Sequence, residues 1–240
     1  SRFRITCFSR RDIFKKIQRL VMENYVAIIP ARKGSKSIKN KNLVKIKGKR
    51  LIDYTINAAR KTKKISKIIV SSDIKSLLKK NNNKEIYIER PKVLSGDKAS
   101  TESVIFNIIK FLKKKNIKPL NLILLQPTSP FRNSIDIKES IKIFEKNNLD
   151  SLFSAFKNKI LVWKSEKKKL KPINYNIKNR QRRQDSKSLI VENGAIFIFK
   201  YQKFLKSRVR LFGKIGYSIM SKKNSIEIDD NFDLRIARKL

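Results

Sequence analysis

The chain has no histidine, one cysteine and only 19 acidic residues against 60 lysines and arginines. Without histidine there can be no Ser-His-Asp triad, no His-ligated zinc and no imidazole general base. Any catalysis must therefore use carboxylates, amines, guanidiniums, hydroxyls and backbone amides. The lone Cys7 excludes an intrachain disulfide and any multi-thiolate metal site, and it fits a reducing compartment. No apolar run approaches the roughly 20 residues that cross a bilayer. A soluble, cytoplasmic protein is expected.

What is present begins with a formal charge of +41 over 240 residues. A surplus of that size attracts nucleic acid, anionic membrane or phosphorylated small molecules. Lysine is spread along the chain in short runs such as Lys63-Lys64 and Lys113-Lys114-Lys115, with no single basic block and no interleaved aromatic residues. The charge therefore reads as a solvated, lysine-rich surface, and no dedicated nucleic-acid or membrane partner is expected. A non-enzymatic nucleic-acid-binding protein is the alternative from a different class. Residues 1–21 are arginine-rich and precede Met22. They lack a signal-peptide core and read as a loosely docked extension or as translated sequence upstream of a start at Met22, with an organelle-targeting segment as the alternative. Cys7 lies there and is expected to have no role.

The globular pattern begins at Tyr25. The runs YVAII (25–29), KIIV (67–70), Ile86 to Ile88 and LNLILL (120–125) read as strands. Between them, Leu51 to Ala59, Ile74 to Lys80 behind Ser71-Ser72-Asp73, Thr101 to Leu112 and Ser134 to Phe144 carry helical spacing. Such alternation predicts an α/β fold with a mainly parallel sheet and helices on both faces. Past Asp150 the pattern weakens. Ser151 to Phe156 and Ala195 to Phe199 read as strands, Lys157 to Ser188 as an irregular arm, and Ile226 to Ile228 as a strand before a closing helix.

In an open parallel sheet ligands bind beyond the carboxyl ends of the strands. The loop after the first strand, Arg32 to Asn42, combines Gly34 and small neighbours with Arg32, Lys36 and Lys41, which suits a triphosphate or, equally, a solvated turn. It matches neither GxGxxG nor GxxxxGK[ST], so it is neither a dinucleotide loop nor a Walker loop. Near the end, Glu227 and Asp229 fall on one side of an extended segment, where they could share a Mg²⁺. A helix cap at Asp229 or Asp230 is the competing reading.

Taken in order, AIIPAR (27–32) with Gly34-Ser35-Lys36 and Lys41-Asn42-Leu43, LLQPTSPFR (124–132), Arg183-Gln184-Asp185, Asn193-Gly194-Ala195 and Ile226-Glu227-Ile228-Asp229 resemble the acylneuraminate cytidylyltransferases, also called CMP-sialic acid synthetases. The resemblance implies a Rossmann-like three-layer sandwich of the nucleotide-diphospho-sugar transferase type. It implies a domain over 25–240 behind a basic extension at 1–24, with an arm at about 150–190 that pairs two subunits and completes the sugar pocket. The implied reaction joins CTP to a nonulosonic acid, giving the CMP-sugar and pyrophosphate with Mg²⁺.

By the same resemblance, Arg32, Lys36 and Asp229 are catalytic. Arg32, Ser35, Lys36 and Lys41 hold the triphosphate, with Asn42 near the ribose. Arg90, Ala99 and Thr101 meet the cytosine and ribose, and Gln126, Arg183 and Asn193 meet the sugar. Glu227 and Asp229 form the metal pair. The chain departs from the family at Glu227, where aspartate is usual, at Ser37, where glycine is common, and at Ser186-Lys187-Ser188, where proline often follows the RQD motif. Synthetases of the same fold for CMP-Kdo, CMP-legionaminate or CMP-pseudaminate are the near alternatives.

Overall fold

A computed structural model describes residues 23–78, 81–166, 169–182, 184–185 and 187–240. The readings of residues 1–21 and of Cys7, and the site residue Arg183, lie outside these. Along the chain come β1 (Glu23–Ala31), a short hairpin of β2 (Lys45–Ile46) and β3 (Lys49–Arg50), α1 (Leu51–Arg60), β4 (Ile65–Ser72), β5 (Glu85–Glu89), α2 (Thr101–Lys114), β6 (Pro119–Leu125), α3 (Ser134–Lys146) and β7 (Ser151–Asn158). A second hairpin follows, β8 (Trp163–Glu166) with β9 (Lys169–Pro172), then β10 (Leu189–Lys200), α4 (Tyr201–Ser207), β11 (Ile215–Ile219) and α5 (Asn231–Lys239).

Seven strands form one sheet in the order β11-β7-β10-β6-β1-β4-β5. Every pairing in it is parallel except the two made by β10, which runs antiparallel to β6 and β7. β1 is central and buried on both faces, which is why its sequence is a continuous apolar run instead of an alternation. Tyr25, Ala27 and Ile29 point into one core with Ile52 and Ile56 of α1 and Ile137 and Ile141 of α3. Val26 and Ile28 point into the other, with Val104, Ile105, Ile108 and Leu112 of α2 and Phe204 of α4. The three-layer sandwich is thus built as expected.

Three local expectations differ. The helix over Ile74 to Lys80 is a single 3₁₀ turn at Lys75–Leu77, with residues 79–80 outside the described set. The following asparagines hold the backbone in other bonds. Asn82 Oδ1 accepts from the N–H groups of Lys84 and Glu85, and Asn81 Oδ1 from that of Tyr87. Asparagine side chains that take local N–H groups compete with helix propagation. The Ile226 to Ile228 segment is not a strand and joins no sheet; its Ile228 N–H instead donates to Thr128 C=O at 2.8 Å. Finally, the arm is not irregular throughout, since it contains the β8-β9 hairpin. No helix among the described residues is long and apolar enough to cross a membrane.

Candidate active site

A cavity of about 290 Å³ opens where β1, β5 and β6 end and α2 begins. Pro30 and Arg32 leave β1, Arg90 follows β5, Gln126 to Thr128 follow β6, and Thr101 opens α2. Chain direction in a parallel sheet gathers these loops at one edge. Of the nominated residues, Arg32, Ser35, Lys41, Asn42, Arg90, Ala99, Thr101 and Gln126 all line this cavity.

The first loop is shaped by its own polar bonds. Asn42 is buried and its Nδ2 donates to Arg32 C=O at 2.8 Å, closing the loop on itself. Lys33 N–H donates to Asp73 Oδ1 at 2.7 Å, so Asp73 braces this loop. Arg32 Nη1 donates to Asp97 Oδ1 at 2.7 Å, and Lys36 Nζ lies 3.3 Å from Asp97 Oδ2. Lys36 therefore stands at the rim. Arg90 is buried, donates from Nε to Leu94 C=O at 2.7 Å, and burial lowers its proton affinity.

The acidic segment is fastened to the same cavity from two sides. Lys41 Nζ donates to the carbonyls of Ile228 and Asp229 at 3.0 Å each and lies 3.5 Å from Asp229 Oδ1. Ser37 Oγ also donates to the Asp229 carbonyl. Across the cavity, Thr128 Oγ1 donates to Glu227 Oε1 at 2.9 Å. Burial pushes the Glu227 carboxyl up from its ordinary value, and the Asp229 charge adds to that, while Thr128 and Lys41 pull it down. Asp230 caps α5 in a reciprocal box with Asp233, leaving Asp229 as the exposed acid beside Lys41.

Among the described residues no three of His, Cys, Asp and Glu converge as a ready-made cage. The hard-oxygen pair Glu227 and Asp229 nonetheless fits Mg²⁺, which takes one or two carboxylates and completes its shell with phosphate oxygens and water.

Asn193 differs from its expected place. It is buried, with Oδ1 accepting from Ser154 Oγ at 2.6 Å and from Ala195 N–H at 3.2 Å, and Nδ2 donating to Ser225 Oγ at 2.8 Å. Its polar atoms are taken by the protein, so it buttresses the site from behind. The residue facing the site is Gly194, at φ +67°, where a Cβ would lie 3.4 Å from both Gln126 Nε2 and Glu227 Oε2.

Sequence reasoning missed Asp97, Thr128 and Arg132. Thr128 lines the cavity, and Arg132 sits behind it, its Nη2 donating to Thr55 Oγ1 at 2.7 Å and to Gln126 C=O at 3.2 Å. Both stand within the LLQPTSPFR stretch, which therefore carried the signal. Asp97 offered only its sign, an acid in a basic neighbourhood.

A mainly parallel three-layer sandwich with a cationic cleft beyond the carboxyl ends of its strands, beside an acidic pair, suits a phosphorylated ligand. The family model described as cytidylyltransferase matches residues 26–232, and the chain belongs to that family. It is 32% identical over 224 residues to the N-acylneuraminate cytidylyltransferase of Escherichia coli, covering 88% of this chain and 51% of that one. It is 29% identical over 230 residues to the post-translational flagellin modification protein B of Campylobacter coli, covering 91% of this chain and 95% of the other. Among solved structures, a CMP:2-keto-3-deoxy-manno-octonic acid synthetase complexed with CTP shares the fold at TM-score 0.60 and 13% identity, over 90% of this chain and 97% of that one. The chain spans about half the length of the N-acylneuraminate cytidylyltransferases it matches.

Proposed function

We propose that the chain transfers a cytidylyl group from CTP to the anomeric hydroxyl of a nonulosonic, sialic-type acid. The anomeric oxygen bonds to the α-phosphorus in line and gives up its proton to solvent, the bond from that phosphorus to the bridging oxygen breaks, and pyrophosphate leaves with the electron pair. The observation that carries this reading is the convergence of Arg32, Lys41, Asn42, Arg90, Thr101 and Gln126, from three separate stretches of sequence, on one cleft.

In this reading Arg32, Ser35, Lys36 and Lys41 receive the triphosphate, Asn42, Arg90, Ala99 and Thr101 the nucleoside, and Gln126 the sugar. The protein's task is to orient reactants and to offset charge on the phosphate oxygens. Glu227 and Asp229 would hold Mg²⁺, which when bound supplies positive charge against the triphosphate. The enzyme acts as a cytoplasmic homodimer joined through the arm. Exposed Trp163, Leu170, Ile173 and Ile177 support the pairing, because uncovered apolar surface of this kind usually marks an interface.

The test is pyrophosphate release with CTP, Mg²⁺ and a panel of N-acetylneuraminate, legionaminate, pseudaminate and Kdo. Release with one or more of the first three is expected. No release with any sugar would overturn the reading, and release with Kdo alone would move the chain to the other branch of the fold.

A further inference from the structure

Asp97 stands in the loop between β5 and α2 and lines the cleft. One carboxylate oxygen accepts from Arg32 Nη1 at 2.7 Å and the other lies 3.3 Å from Lys36 Nζ. These are two of the cations that the cytidylyl-transfer reading gives to the triphosphate, and the present inference rests on that reading. Among the described residues no other carboxylate bonds either of them. The Asp97 side chain is 48% exposed, so packing does not hold it there. Around the preceding Gly96 no atom beyond its chain neighbours lies within 4 Å of where a Cβ would sit, so the Asp97 carboxylate stands at an open part of the cleft wall. Hydrogen bonds from Arg32 and Lys36 hold the Asp97 carboxyl below the usual carboxylate range.

We propose that Asp97 is a built-in counter-ion of the phosphate seat, which occupies Arg32 and Lys36 before nucleotide binds, yields them to the triphosphate, and reclaims them as pyrophosphate leaves. A seat of unopposed cations would bind substrate and product pyrophosphate alike, since both present the same oxygens to the same donors. A carboxylate held against those cations subtracts from both affinities and thereby speeds the departure of the product. In water-exposed surroundings one charge a few ångströms from a bound phosphate changes affinity by roughly three- to tenfold.

Calorimetric titration of the parent chain, Asp97→Asn and Asp97→Glu with CTP and, separately, with inorganic pyrophosphate tests this. Asp97→Asn is expected to bind both ligands roughly three- to tenfold more tightly, with stronger pyrophosphate inhibition and a lower kcat. Asp97→Glu, which keeps the charge, is expected to stay near the parent. If the parent binds both ligands while Asp97→Asn binds them equally well or more weakly, Asp97 orients the cations instead of competing for them, and this inference alone falls. A parent chain that binds neither CTP nor pyrophosphate overturns the cytidylyl-transfer reading and this inference with it.

Discussion

Replacing Arg132 with methionine should slow turnover while leaving the folded state about as stable as before. Arg132 is 1% exposed, and burial pulls its guanidinium well below its ordinary value, down to about 10. At about 1.4 kcal/mol per pH unit, that displacement corresponds to ~3 kcal/mol of penalty for a buried cation. The compensation is small. Nη2 makes two hydrogen bonds, to Thr55 and to the Gln126 carbonyl, worth ~1 kcal/mol each in net terms. Nε and Nη1 have no partner among the described residues.

Removing the cation also orphans little. The Gln126 carbonyl keeps the Thr55 hydroxyl at 3.4 Å and the Ser129 N–H at 3.4 Å. Asp136 keeps Asn133 N–H and the Asn224 amide at 2.9 Å each. Methionine fills much of the same volume without charge, a kind of exchange that is often neutral or stabilising. Unfolding in urea should therefore give a change within ~1 kcal/mol of zero. Gln126, however, loses the shortest of the three bonds on its carbonyl, and a misplacement worth ~1.4 kcal/mol would lower kcat/KM about tenfold. A stability loss above ~3 kcal/mol would refute the charge balance drawn here, and an unchanged kcat/KM for pyrophosphate release would refute the role given to that bond.

Three further perturbations follow from the same geometry. Arg32→Ala should weaken CTP binding by roughly tenfold, as expected for a lost charge-assisted contact, and calorimetry would read it; unchanged affinity would remove the triphosphate from that loop. Asp229→Ala should abolish metal-dependent pyrophosphate release with an unaltered circular dichroism spectrum, because Asp230 and not Asp229 caps α5, and retained turnover would exclude Asp229 from the metal site. Asp150 is held down to about 2 from 3.8, first by Lys203 and further by Lys214 N–H and Lys200. A depressed carboxylate adds stability above its unfolded pKa and loses it as pH falls toward the folded value. Asp150→Asn should thus cost ~1–2 kcal/mol at pH 7, with the gap from the parent closing between about pH 4 and pH 2 in urea titrations.

The parts of the fold that are legible in sequence are those whose burial is continuous. YVAII and LNLILL are covered on both faces, so their apolar runs declare them. α4 and β11 carry no such mark. α4 buries only Tyr201 and Phe204. β11 is an edge strand whose Ile215, Tyr217 and Ile219 face outward while Ser218 is the buried residue, an inverted alternation. Its Gly216 packs against Leu149, whose side chain would have to shift to admit a Cβ. At the candidate site the loops are legible because each follows a strand. The atom that does the work is less so. In Asn193-Gly194 the asparagine reads as the functional residue, yet it is the glycine that adjoins Gln126 and Glu227.

Charge offers the sharper lesson, with the scarce sign as the informative one. Cations outnumber acids about three to one, so a given lysine says little about position, whereas most acids have a definite partner. Asp53 takes Arg50, Glu85 takes Arg60, Glu102 takes Arg210, and Glu145 takes Lys64 together with the Tyr25 hydroxyl. Asp136 and Asp230 with Asp233 serve helix starts. Glu85, Glu102 and Glu145 thus link separate elements, while Asp53, Asp230 and Asp233 act at the start of a single helix. Asp97 and Glu227 differ, because both adjoin the cleft, and Asp229 differs because it faces Lys41 at the cleft edge while remaining exposed. An acid left open to solvent beside a cationic cleft gains little for stability from its pairing. Its position fits a cleft that binds a charged ligand, and that is why the few acids, more than the many lysines, single out the candidate site of this chain.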